Sequence, residues 1–148
     1  MPKSSKAGTG PPKPVDTKSA VHERIRSDHA SETAEDYVEA ILDVIEEKEL
    51  CRSVDLARRF KVSHVTVNRT LKRLVRDGFV IAKPYSPIQL TSKGLRTARA
   101  ARSRHEIVYR FLLALGVSPS TAAVDSEGIE HHVSRETLKA MENFGPGH

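Results

Sequence analysis

Apolar residues recur at helical spacing through most of the chain. Thr33 with Asp36 has the form of a capping box, and Tyr37, Val38, Ile41, Leu42 and Ile45 follow as one stripe. This predicts a first helix from about Ser31 to Glu47. Ser53 is placed to cap a short second helix, Val54–Phe60, with Val54, Leu56 and Ala57 apolar. Ser63 is placed to cap a third, His64–Arg76, along which Val67, Leu71, Leu74 and Val75 share a face. Gly78 falls where a helix ends in a left-handed residue. Two short apolar runs, Phe79–Ala82 and Ile88–Leu90, flank a gap containing Pro84 and Pro87 and predict a small hairpin. A long helix from Thr91 to about Leu115 follows, with Leu95, Ala98, Val108, Phe111, Leu112 and Leu115 on its apolar face. Ser118-Pro119 opens another helix, expected to reach about His132. Ser134 caps a last short one.

Residues Met1–Asp28 interrupt this pattern. They are rich in Pro, Gly, Ser, Thr and Lys and offer little to bury, so residues 1–30 are expected to be a disordered basic tail. Ordered structure then divides into residues 31–91 and 92–148. The expected class is mostly α. It begins with a winged helix-turn-helix of three helices and a two-stranded wing, and all-helical structure follows.

Charge sharpens the picture because it comes in blocks. The net charge of 148 residues is only +5, yet Glu32–Leu50 carries −7 and Arg52–Asp77 carries +6. Lys93–Arg110 carries +5 and Phe111–His148 carries −3. Basic blocks suit a phosphate backbone and acidic blocks suit cations. No run approaches 18 apolar residues, so a membrane span is not expected. The N-terminus lacks the apolar core of a secretory signal, and the single cysteine, Cys51, excludes an internal disulfide. A cytoplasmic setting fits.

The short turn between Phe60 and Ser63 is that of a helix-turn-helix, whose second helix puts its first turns into the major groove of DNA. Those turns carry Ser63, His64, Val65, Thr66, Asn68 and Arg69, which suit base edges and thymine methyls. Lys72 and Arg73, with Arg58, Arg59 and Lys61, are placed to meet phosphates. A basic helix alone is more often a solvated face. Here the turn, caps, hairpin and charge block agree on double-stranded DNA.

A second constellation suits metal. Asp36 and Glu39 share a face of the first helix, and Glu127, Glu130 and His131 share one of a later helix. His105 lies midway along the long helix. Carboxylates with imidazole suit Mn(II), Fe(II) or Zn(II). Taken singly, Asp36 and Glu39 read as solvated acids and His105 as an ordinary histidine. The run Glu127-Gly128-Ile129-Glu130-His131-His132 is denser, though His132 points about 100° away from His131 on a helix. No Glu-x-x-His pair of repeats, His-Glu-x-x-His or Gly-rich phosphate loop is present, so neither an enzyme nor a small organic substrate is expected.

Six segments occur in order: Glu35-Asp36-Tyr37-Val38-Glu39, Val54–Arg76, Leu90-Thr91-Ser92-Lys93-Gly94, Arg104-His105-Glu106, Phe111–Val117 and Glu127–His132. Together they resemble the diphtheria toxin repressor family, and within it the manganese transport regulator branch, over roughly Ser31 to Phe144. The resemblance implies that the second half is a dimerisation domain and that the metal site lies between the two halves. Its ligands would be Asp36, Glu39, His105, Glu127, Glu130 and His131, holding two Mn(II) ions. Iron-sensing relatives carry sulfur-bearing residues where this chain has Asp36 and Glu127; oxygen there favours the harder Mn(II). The implied function is a Mn(II)-responsive regulator that binds operator DNA as a metal-loaded homodimer and represses manganese uptake genes. An Fe(II)-responsive repressor on the same scaffold and a metal-independent winged-helix protein are the alternatives. The wing tip, Lys83–Pro87, holds two prolines and one basic residue, which leaves its DNA contact open. With a chain ending near Phe144, the SH3-like domain of the iron regulators is not expected.

Overall fold

The computed structural model describes residues 17–145, without the side chains of residue 17 and residues 23–31. Six helices and one two-stranded sheet follow in chain order among the described residues: α1 (Thr17–Lys48), α2 (Ser53–Phe60), α3 (His64–Arg76), β1 (Val80–Ile81), β2 (Gln89–Leu90), α4 (Ser92–Ala114), α5 (Pro119–Ile129) and α6 (Arg135–Asn143). This is the expected mostly-α class, with a winged helix-turn-helix first. No described helix is long and apolar enough to cross a membrane.

The first helix departs from expectation. It begins at Thr17, so Thr33 and Asp36 lie mid-helix and form no capping box at its start. Of the expected tail, residues 17–30 are helical and residues 1–16 lie outside the described residues. The reason is local. No Pro or Gly occurs from Thr17 to Lys48, and Ala, Glu, Arg and Lys favour the helix without needing burial. Glu49, at φ 72°, ends it.

Later boundaries follow local chemistry. Asp55 accepts the Arg52 backbone N–H at 2.9 Å and closes the start of α2, a role expected of Ser53. Lys61, left-handed at φ 54°, ends α2, and the Ser63 hydroxyl accepts the Thr66 backbone N–H at 3.2 Å to begin α3. Gly78 turns the chain at φ +81°. The wing is shorter than the two apolar runs: only Val80↔Leu90 and Ile81↔Gln89 pair, antiparallel. The Thr91 hydroxyl begins α4, accepting from Gly94 N while donating to Gly78 O at 2.6 Å. Lys93 donates to Asp77 O at 2.7 Å and lies over the Phe79 ring. These contacts fasten the start of α4 to the base of the wing.

Two apolar cores result. In the first, Tyr37, Val38 and Ile41 of α1 meet Leu56, Val67, Leu71, Leu74, Val80 and Ile88, with Ala98 of α4 completing it. Val54 and Val75, expected inside, are exposed. The second gathers Val108 and Leu112 of α4 with Ala122, bordered by Phe111, Ile129, Val133, Leu138 and Met141. Leu115, expected on the apolar face of α4, is exposed. One unbroken helix thus takes part in both cores. Beside the first, Arg102 of α4 grips Asp43 at 2.5 Å and Glu46 at 3.1 Å on α1.

Candidate metal centre and nucleic-acid interface

The acids of α1, His105 of α4 and the end of α5 converge between the two cores. α5 stops at Ile129, one turn earlier than expected, so Glu130 caps it and His131 lies in the following turn. The turn swings both side chains inward: Glu130 is 1% exposed and the His131 side chain 3%. Two clusters form. His105, Glu127 and Glu130 each offer a ligand atom within 4.8 Å of the others, and so do Glu32, Asp36 and His131. His131 Nε2 joins them, 3.2 Å from Asp36 Oδ1 and 3.4 Å from Glu130 Oε1. His105 Nδ1 lies 3.0 Å from Glu130 Oε2 and 3.6 Å from Glu127 Oε1. Glu39 belongs to neither cluster, yet Glu127 and Asp36 act on it as like charges and His105 as an opposite one.

Glu130 is the centre of this arrangement. Neither of its buried oxygens has a hydrogen-bond partner, and neither has His105 Nδ1, despite their proximity. A buried carboxylate without partners is expensive to ionise, and burial pushes Glu130 up to about 8, with Glu127 and Glu39 adding to the effect. Burial, reinforced by Asp43 and Glu127, also raises Glu39. His131 moves to about 10 because Asp36 and then Glu35 hold its imidazolium. Orphaned oxygens beside imidazole and more carboxylates are the donor set of a hard or borderline divalent cation, and the residues fit one.

Sequence reasoning missed the support for this site. Glu35 Oε2 accepts from His131 Nδ1 at 2.8 Å and pairs with Arg104 Nη2 at 2.6 Å. Burial alone would raise Glu35, but the hydrogen bonds from His131 and Arg104 outweigh it and hold the carboxyl low. With Nδ1 engaged, His131 turns Nε2 toward Asp36 and Glu130. The same contacts change the expected electrostatics. From charge blocks alone, the acidic face of the first helix has no reason to approach Glu127–His131 without a cation. Here the His131 ring joins them.

Along α3 and its cap, Ser63, His64, Val65, Thr66, Asn68, Arg69, Lys72 and Arg73 are all exposed, as a groove-reading helix requires. None of Arg69, Lys72 and Arg73 pairs with an acid among the described residues, which leaves them open to phosphate. Arg59, expected at a phosphate, bridges to α1 in the DNA-free chain, with Asp43 at 3.0 Å and Glu47 at 3.8 Å. A cleft of about 730 Å³ separates α3 from the wing, and Arg52, Lys72 and Lys83 bring positive charge to it.

Comparison with known proteins agrees with both regions. Residues 29–88 match the family model described as iron dependent repressor, N-terminal DNA binding domain, and residues 91–145 match iron dependent repressor, metal binding and dimerisation domain. The chain belongs to the iron dependent repressor family. This is a class of transcriptional repressors rather than of enzymes, and the chain carries its DNA-binding domain and its metal-binding and dimerisation domain. Among family relatives, the transcriptional regulator MntR of Salmonella typhimurium (strain LT2) is 47% identical over 125 residues, covering 84% of this chain and 80% of that protein. MntR of Escherichia coli O157:H7 is 46% identical, over 84% of this chain and 81% of that protein. Among solved structures of like fold, a manganese-dependent transcriptional repressor in complex with manganese superposes with a TM-score of 0.66 at 28% identity, over 74% of this chain and 50% of that one. The manganese regulator SloR gives 0.65 at 25% identity, over 75% and 52%. The chain therefore spans about half the length of those two solved proteins.

Proposed function

We propose that this repressor-family chain responds to Mn(II), binds double-stranded operator DNA as a metal-loaded homodimer, and represses manganese uptake genes in the cytoplasm. The observation that carries the metal reading is Glu130, buried to 1% with both oxygens unpartnered among imidazole and carboxylate groups. Asp36, Glu39, His105, Glu127, Glu130 and His131 are the proposed ligands, for two ions. Four carboxylates would supply −4 against the +4 of two divalent cations. Oxygen at Asp36 and Glu127 supports Mn(II) over softer ions, as does the likeness to regulators described as manganese-dependent.

Bound cations would supply the charge that lets all four carboxylates ionise together. The chain supplies the rest. Residues 31–91 present α3 to DNA, with Ser63, His64, Val65, Thr66, Asn68 and Arg69 toward bases and Lys72 and Arg73 toward phosphates. Residues 92–148 would form the dimer, whose exposed Leu115, Val124 and Phe144 supply apolar surface. Site and reading head are joined by α1, which bears Asp36 and Glu39 on one stretch and packs Tyr37, Val38 and Ile41 against the core of the DNA-binding domain. A coupling of roughly 1–3 kcal/mol between metal and DNA would change occupancy about 5- to 150-fold, in both directions.

The family description names iron, which supports Fe(II) as the second reading. A DNA shift assay on a manganese-importer promoter from the same genome, at controlled free Mn(II), Fe(II) and Zn(II), separates them. Mn(II)-dependent binding that Glu127→Ala abolishes is the expected result. Binding unchanged by a chelator overturns the proposal.

A further inference from the structure

Glu32 lies one turn before Asp36 on the same face of α1, the spacing at which helical side chains meet. It offers a carboxylate oxygen to the group formed with Asp36 and His131, within 4.8 Å of both. Hard divalent cations bind oxygen at about 2.0–2.6 Å, so two ligand atoms of one ion lie at most about 4–5 Å apart; the group meets that limit. A cluster of acids alone would say little. Here, however, the unpartnered and almost wholly buried Glu130 directs Oε1 to within 3.4 Å of His131 Nε2, the nitrogen that also faces Asp36. This unpartnered carboxylate oxygen thus borders the group at its imidazole nitrogen and links it to the cluster of His105, Glu127 and Glu130. The early start of α1 matters too. A helix beginning at Ser31 would leave Glu32 in a fraying first turn, whereas one beginning at Thr17 holds it mid-helix.

We infer that Glu32 is a further metal ligand, binding together with Asp36 and His131 the ion on the α1 side of the centre. This rests on the proposed metal reading and adds a residue to it. It makes the outer ion richer in oxygen and more negative in surroundings, which favours a hard cation. His132, 3.8 Å from Glu32 through Nε2, stands beside the site as a neighbour.

The test is Mn(II) titration of the full chain by calorimetry, for wild type, Glu32→Gln, Glu32→Ala and Asp36→Ala, with metal-free melting of each. Both Glu32 variants should weaken one Mn(II) ion by at least about tenfold, keep the other, and melt like wild type in chelator. Asp36→Ala should affect the same ion. If Asp36→Ala loses an ion while both Glu32 variants titrate as wild type, the inference falls and the metal reading stands. If wild type binds no Mn(II), both fall.

Discussion

Glu130→Gln separates what the fold wants from what the site wants. Glutamine keeps the shape of the protonated acid and removes its ability to ionise. In the metal-free chain burial raises the Glu130 carboxyl from 4.5 to about 8. A raised value means the folded chain holds this proton more tightly than the unfolded one. The contribution is therefore fully present below pH 4.5 and is lost as pH rises toward 8. At pH 7 the ionised reference lies about 2.5 units above its own pKa, and at 1.36 kcal/mol per unit the wild type forfeits about 3 kcal/mol. Glutamine forfeits none of it. In chelator at pH 7 the variant should melt roughly 6–12 °C higher, at about 2–4 °C per kcal/mol. At pH 5 the two should nearly converge. Added Mn(II) should reverse the order: the wild type gains about 4.1 kcal/mol at a thousandfold excess over Kd, and the variant gains far less. Thermal melts at both pH values, with and without Mn(II), read all of this. A variant no more stable than wild type at pH 7 in chelator, or one with undiminished Mn(II) stabilisation, would refute the reasoning.

Three further outcomes are expected. Glu35→Ala should weaken Mn(II) binding about 10- to 100-fold by freeing the His131 ring and leaving Arg104 uncompensated; calorimetry at constant pH checks it, and unchanged affinity would show that Glu35 does not orient the ligand. Arg69→Ala should weaken operator binding and leave Mn(II) affinity of the free protein unaltered, as fluorescence anisotropy with parallel metal titrations would show. Gly94→Ala should destabilise the chain by about 1–3 kcal/mol or more, because a Cβ there would lie 2.0 Å from the Phe79 carbonyl oxygen; a urea melt like that of wild type would count against the packing described for the start of α4.

What could be read from the sequence was mostly local. Ser63, Gly78, Ser118 and Ser134 act within a turn of where they stand, and all four do what their type and position predict. The stripe Tyr37, Val38, Ile41 and Leu42 is buried because it is set by helical period alone. The start of α1 was not legible, since weak propensities summed over an apolar-poor stretch leave no stripe to find. Among the six residues expected to bind metal, Asp36, His105, Glu127, Glu130 and His131 fall into the two clusters, and Glu39 lies beside them. Glu32, Glu35 and Arg104 were not picked out because their roles depend on where α1 meets the turn after α5, which no spacing along one segment reveals. The i, i+4 placement of Glu32 and Asp36 was the one available signal. The pairing of Arg59 with the acids of α1 was hidden for a similar reason.

The continuity of α4 makes it a ruler. Gly94 and Ala98 are buried at one end and Val108 and Leu112 at the other, along 23 residues without a break. Each residue advances a helix by 1.5 Å and turns it by about 100°. A single insertion between Ala101 and Val108 would thus rotate His105 or its neighbours out of phase with α1 while leaving every cap and every local propensity intact. A residue added at the exposed wing tip, beside Tyr85, would shift none of these positions, but the distance from reading head to ion centre is counted in whole residues and admits no small change.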